Sequence, residues 1–200
     1  MNFILQIFIS SQPGGDFLAA ASQDKTCRIF DAHRGDFKQK LAGHVDAVNS
    51  VQWQPYANNL LTGSADKTIS LWDLRSGLCI QTFYGHSNAV NKAKYSNDGS
   101  IIASCDADGV VKVWDTRMVC EMLQIDAGPH PINDLAFDRG GKCLTLASGD
   151  STVKVFDIGP ERACKGTLEG HSDGVLSVAL EGHGHYMVHF SFITFSNVNM

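Results

Sequence analysis

The side chains with most chemical potential are histidines, hydroxyls and aspartates set at a fixed interval. Gly43-His44, Gly85-His86 and Gly170-His171 repeat one step, and Asp24, Asp66, Asp108 and Asp150 recur every 42 residues. A histidine with a hydroxyl and a carboxylate is the equipment of nucleophilic catalysis, where the imidazole activates the hydroxyl and the acid orients the imidazole. A nucleophile is needed once, however, and this grouping is restated unit after unit. The reading is therefore structural, and no catalytic residue is assigned. His183, His185 and His189 form H-x-H-x3-H, a donor set that zinc accepts. Apart from Glu181, no cysteine or carboxylate stands beside them at ligand spacing, so no metal and no cofactor are expected. The glycine-rich stretch Asp138-Arg139-Gly140-Gly141-Lys142 reads as a hairpin turn, because it lacks the spacing and following helix of a phosphate loop.

The elements that hold these residues follow from the same interval. Phe30-Asp31, Trp72-Asp73, Trp114-Asp115 and Phe156-Asp157 also recur every 42 residues, always six after the turn aspartate. Gly128-Pro129-His130 is a variant of the Gly-His step. Within the second unit the apolar pattern has period two or forms short runs bounded by turn residues. It predicts strands over Val48 to Trp53, Leu60 to Ser64, Thr68 to Trp72 and Leu78 to Phe83. Turns are predicted at Pro55 to Asn58, Ala65-Asp66-Lys67 and Arg75-Ser76-Gly77. No segment has a convincing 3.6-residue period, so helix should be nearly absent.

A unit of 40 to 45 residues with G-H and W-D marks resembles the WD repeat, four antiparallel strands forming one blade of a β-propeller. The resemblance implies an all-β, incomplete propeller of about four blades and a degenerate fifth. The blades would span about residues 1–41, 43–83, 85–126, 128–168 and 170–200 of a single domain. Ile4 to Ile9 would serve as the first inner strand. The fifth blade decays, with Phe192 where the aspartate should stand and Val198-Asn199 in place of Trp-Asp. The resemblance also implies a buried tetrad per blade: His44, Thr62, Asp66 and Trp72 in the second, His86, Ser104, Asp108 and Trp114 in the third. Blades one and four have Ala20 and Leu146 at the hydroxyl position and Phe30 and Phe156 at the indole position. That is consistent, since an indole N–H without its acceptor would be stranded in the interior. Partner contacts would come from the rim, with Asp46, Ala65, Lys67, Asn88, Ala107, His130 and Gly149 as candidates.

Ile125-Asp126-Ala127-Gly128-Pro129 replaces the usual Gly-His step, and a degenerate blade follows it. In this, residues 17–180 resemble the sperm-associated antigen 16 family of axonemal WD-repeat proteins. That resemblance implies a non-enzymatic scaffold in the central apparatus of cilia and sperm flagella, binding cytoskeletal and axonemal proteins. Proteins of that family also carry an amino-terminal coiled coil, which these residues lack. Trp72-Asp73-Leu74-Arg75 and Trp114-Asp115-Thr116-Arg117 resemble the paired boxes of substrate receptors on cullin-type ubiquitin ligases. There Arg75 and Arg117 would belong to the docking face; otherwise each arginine pairs with its own aspartate. A fragment without stable independent function is a further alternative.

Composition bounds these readings. The 200 residues carry a net charge of −5 with basic residues scattered, which gives no footprint for phosphate neutralisation, so nucleic acid is not an expected partner. No stretch approaches the roughly 20 apolar residues that span a bilayer. Met1 to Ser10 is apolar but has no positive leading region, since the first lysine is Lys25, so it is not read as a signal peptide. Cys79, Cys120 and Cys164 fall at nearly the same point of successive units, too far apart for disulfides. Six cysteines without pairing predict a reducing compartment, hence the cytoplasm.

Overall fold

The computed structural model describes residues 8–159, 162–180 and 187–191. Residues 4–7 of the expected first strand, His183, His185, Phe192 and Val198-Asn199 lie outside them. The described residues contain strands and no helix. The first sheet comprises β1 Phe8–Ser11, β2 Phe17–Ala21, β3 Thr26–Asp31 and β4 Phe37–Ala42. The second comprises β5 Val48–Trp53, β6 Asn59–Ser64, β7 Ile69–Asp73 and β8 Cys79–Phe83. The third comprises β9 Val90–Tyr95, β10 Ile101–Asp106, β11 Val110–Asp115 and β12 Cys120–Asp126. The fourth comprises β13 Ile132–Phe137, β14 Cys143–Ser148, β15 Val153–Asp157 and β16 Cys164–Leu168, and β17 Val175–Leu180 pairs with β18 Met187–Ser191. All four full sheets run in sequence order with antiparallel neighbours, as WD blades do.

Alternation along each strand sends neighbouring side chains to opposite faces, so every blade feeds two cores. Leu60 packs with Ala19, Ile29 and Leu41 of blade one, whereas the adjacent Leu61 packs with Val90, Ala93 and Ile102 of blade three. Ala103, Cys105 and Val113 meet Leu135, Leu144 and Leu146 at the next junction, and Val175 and Val178 meet Ala147 and Val153 at the last. The hydrophobic core is thus the set of blade-to-blade contacts, each fully buried Leu or Ile contributing about 1.5–3 kcal/mol. Gly63 permits the close approach of blades two and three, because a Cβ there would lie 2.9 Å from Val90.

The inner strands of blades two, three and four carry a one-residue bulge against their neighbour, at Asn49, Asn91 and Asn133. The bulge leaves the residue unpaired and re-aims its side chain. Each of these amides reaches the inner strand of the following blade: Asn49 Nδ2 donates to Val90 O (2.9 Å), Asn91 Nδ2 to Ile132 O (2.9 Å) and Asn133 Nδ2 to Val175 O (2.8 Å). An asparagine ladder therefore stitches blades two to five along their innermost edge. All six cysteines are free.

Candidate functional site

In blade two the repeat brings four side chains into one buried chain of hydrogen bonds. His44 leads into β5, Thr62 lies on β6, Asp66 in the β6–β7 turn and Trp72 on β7. His44 Nδ1 lies 2.8 Å from Asp66 Oδ2, and His44 Nε2 lies 2.7 Å from Thr62 Oγ1. Trp72 Nε1 donates to the same hydroxyl oxygen at 2.8 Å. One proton assignment satisfies every group: indole N–H to hydroxyl, hydroxyl to imidazole, imidazole N–H to carboxylate. Burial pushes the Asp66 carboxyl up, but hydrogen bonds from Thr68 and His44 outweigh it and hold it below its ordinary value. Thr62 is fully buried with its oxygen held by the indole and its proton by the imidazole. A substrate carbonyl has no approach to it.

Blade three has the same chemistry with one substitution. His86 Nε2 lies 2.6 Å from Ser104 Oγ, and Trp114 Nε1 donates to that oxygen at 2.9 Å. The carboxylate is Asp106, 2.7 Å from His86 Nδ1, and not Asp108. Asp106 stands where blade two has Ser64, at the end of the strand and already inside the blade. Its second oxygen accepts from the backbone N–H groups of Asp108 and Val110, so it also closes the turn. Two carboxylates on one imidazole would repel, and Asp108 instead turns outward to accept from Asn88 (2.8 Å) and Ser87 (3.3 Å). Burial lowers the His86 pKa, partly offset by Asp106, which keeps the ring neutral.

Blades one and four replace the tetrad with an ion pair that the repeat marks do not reveal. Arg28 Nη2 meets Asp24 Oδ2 at 2.7 Å, and Lys154 Nζ meets Asp150 Oδ2 at 2.7 Å. Both basic residues lie four after the turn aspartate, on the strand beside the missing hydroxyl. In blade five His171 Nδ1 lies 2.9 Å from Ser191 Oγ, and its Nε2 contacts His189 Nδ1. His189 thus occupies the position that Ser104 holds in blade three. No group of three metal-ligating side chains occurs among the described residues.

The buried networks hold two rims of turns. Ala65 N donates to Ala47 O, Ala107 N to Ala89 O and Gly149 N to Pro131 O, which binds each middle turn to the loop entering the same blade. Of the rim candidates, Asp46, Lys67 and His130 are exposed, and Ala65, Asn88, Ala107 and Gly149 are half-buried. The other rim joins the outer turns to the β5–β6 and β9–β10 turns, through Leu74 N to Asn58 O and Thr116 N to Ser100 O. Arg75 and Arg117 lie there, both exposed. Asp73 and Asp115 accept from the backbone N–H groups of Arg75 and Arg117, at 3.0 and 2.7 Å, and neither guanidinium forms an ion pair. Each carboxylate is therefore held mainly by backbone amides of its turn, and the nearby charge of its own arginine lowers its pKa further without a direct ion pair. Beside them Leu78, Ile80, Met118 and Met122 are exposed. At the Ile80 and Met122 position blades one and four carry Lys38 and Lys165, which pair with Asp31 and Asp157.

The family model for the WD domain, G-beta repeat, matches residues 7–31, 35–73, 77–115, 122–157 and 162–192. The chain is similar to a chromatin assembly factor 1 subunit FAS2 homolog of Oryza sativa subsp. japonica, 46% identical over 41 residues. It is also similar to polyadenylation factor subunit 2 of Schizosaccharomyces pombe, 39% identical over 54 residues. Those matches cover 20% and 27% of this chain, but only 8% and 11% of the relatives.

Proposed function

Since the chain belongs to the WD-repeat family, we propose that it is a non-enzymatic scaffold that binds other proteins through its rims. The observation that carries this reading is the occupation of its reactive-looking groups. In blades two and three the hydroxyl is fully buried and both imidazole nitrogens are engaged, so neither hydroxyl is free to act as a nucleophile, and partner contacts fall to the turns and the blade edges. Both relatives are named as subunits of larger factors, in keeping with an assembly role. Within that role the scaffold serves assembly of the axonemal central apparatus in motile cilia or sperm flagella, in the cytoplasm and its cytoskeleton. The placement rests on the resemblance at Ile125 to Pro129 and in the blade that follows. Its partners are cytoskeletal and axonemal proteins rather than nucleic acid or membrane. Affinity capture from testis or ciliated-cell extract tests the reading. Recovery of axonemal components is expected, and their absence among specifically captured proteins would overturn the axonemal placement.

A second reading has its own support: docking on a cullin-type ubiquitin ligase through Arg75 and Arg117. Two exposed guanidiniums without ion pairs, beside exposed apolar side chains in the same two blades, are groups left available for a partner. Changing both arginines to alanine should abolish capture of a ligase adaptor. Unchanged capture of every partner by that variant removes this alternative.

A further inference from the structure

One strand position separates blade two from its three full sisters. Arg28, Ser70, Lys112 and Lys154 are 42 residues apart, and each lies opposite the hydroxyl position, paired with Ala20, Thr62, Ser104 and Leu146. Three blades place a cation of their own there. Arg28 and Lys154 pair with the turn aspartate, while Lys112, buried, donates to Glu121 (2.6 Å) and Gln124 (2.7 Å). Lys154 also donates to the carbonyl of Ala127, the residue that corresponds to Gly43 in blade two. Blade two has only the short Ser70. At that place it opens a cavity of about 480 Å³, lined by residues including Asp66, Lys67, Ser70, Thr82 and Tyr84.

We propose that this blade-two cavity receives a lysine or arginine side chain from a partner protein, seated where the sister blades seat their own. The acceptors are in place. Ser70 Oγ and Thr82 Oγ1 lie 3.4 Å apart, and Thr82 stands at the register of Gln124, which already holds an ammonium in blade three. The Asp66 carboxylate supplies negative charge at the cavity wall, but its Oδ2, the oxygen that Asp24 and Asp150 give to their own cations, already accepts from His44 Nδ1 and Val45 N. Tyr84, 74% exposed, offers a ring to the incoming stem and ammonium. The net charge of −5 favours approach of a basic segment. Lys67 is the only Lys or Arg of the lining, and it lies exposed at the edge. This inference deepens the scaffold reading by giving the chemistry of one contact, and it rests on that reading only for the contact's biological source.

The test titrates the ¹⁵N-labelled full chain with terminally blocked pentalysine and, separately, pentaglutamate. Pentalysine should shift the amides of Val45, Ser70, Thr82 and Tyr84 saturably. Ser70→Lys refills the cavity as in the sister blades, and Ser70→Leu fills it without charge. Both should weaken binding at least tenfold, and Ser70→Ala should stay within threefold of the parent. Gln23→Lys, on an exposed turn of blade one, adds the same charge elsewhere and should change affinity less than twofold. Absence of saturable shifts, equal binding by Ser70→Leu and the parent, or tighter binding of pentaglutamate would each overturn the cavity proposal. None of these outcomes touches the scaffold reading, which fails instead if extract capture yields no specific protein.

Discussion

At the scale of single residues, the third blade separates register from geometry. A 42-residue interval assigns Asp108 to the imidazole, because it aligns with Asp66. The strand end assigns Asp106, because a carboxylate already inside the blade reaches His86 first. The interval carries spacing and cannot choose between two carboxylates two residues apart. Asp106→Ala strands an imidazole N–H and two backbone N–H groups, and should cost about 3 kcal/mol. Asp108→Ala removes only exposed contacts and should cost about 0.5 kcal/mol. Urea midpoints of the two variants measure this, and equal losses would restore Asp108 as the partner. His86 gives a pH prediction whose sign follows from burial. Its folded pKa lies below 6.5, so the unfolded chain binds more protons as pH falls through 6.5. Its stabilising contribution is complete above 6.5 and declines below it, before the aspartates, whose ordinary value is 3.8, begin to titrate. The urea midpoint should drop between pH 7.5 and 5.0, and His86→Gln should show a smaller drop. Tyr95 offers a contrary case. Its hydroxyl is buried with no hydrogen-bond partner, so Tyr95→Phe should be neutral or stabilise by about 1 kcal/mol, read from Tm.

At the scale of strands and turns, the sequence was more legible than at any single side chain. Val48–Trp53 forms the strand that its alternation predicts, β6 and β8 differ from expectation by one residue at their starts, and β7 is shifted by one residue at both ends. Burial of one face fixes register strongly, and Asp, Gly and Ser in the turns end each run. The asparagine ladder is not legible in the sequence, although Asn49, Asn91 and Asn133 repeat at the same interval as the aspartates. An asparagine in a strand reads as a weak strand residue, and only the bulge shows why it is placed there. The basic position at 28, 112 and 154 was likewise visible as spacing, but without meaning until its fold neighbours were known. Asn91→Ala leaves the Ile132 carbonyl with only the weak Cys105 thiol donor, and should cost about 1–2 kcal/mol without altering the strand content seen by circular dichroism. A cost below about 0.3 kcal/mol would mean that water replaces the amide there.

For the whole molecule, a core made of blade-to-blade contacts implies that stability is distributed as in other repeat proteins, by unit and by interface. The interfaces are not equal. Blade two packs on both sides through Leu, Ile and Trp side chains, whereas β17 meets blade four through a smaller group of valines and alanines. A polar contact supplements that last interface. Asp134, buried on β13, accepts from Ser177 Oγ at 2.6 Å and Val178 N at 3.3 Å, and it is held ionised by Lys94 at 2.9 Å. Burial alone would raise the Asp134 pKa, and the charges of Lys94 and Lys92 reverse that direction. Removing the carboxylate therefore takes the buried counter-charge from Lys94 and leaves two donors of β17 without that acceptor. In native-state hydrogen exchange, amides of β17 should open locally and nearly independently of denaturant, while those of β5 and β9 open only with global unfolding. Asp134→Ala should speed exchange in β17 at least tenfold and change β5 less than twofold. Equal acceleration in both strands would show that blade five is cooperative with blade two, and that the blades fold as one unit despite their unequal seams.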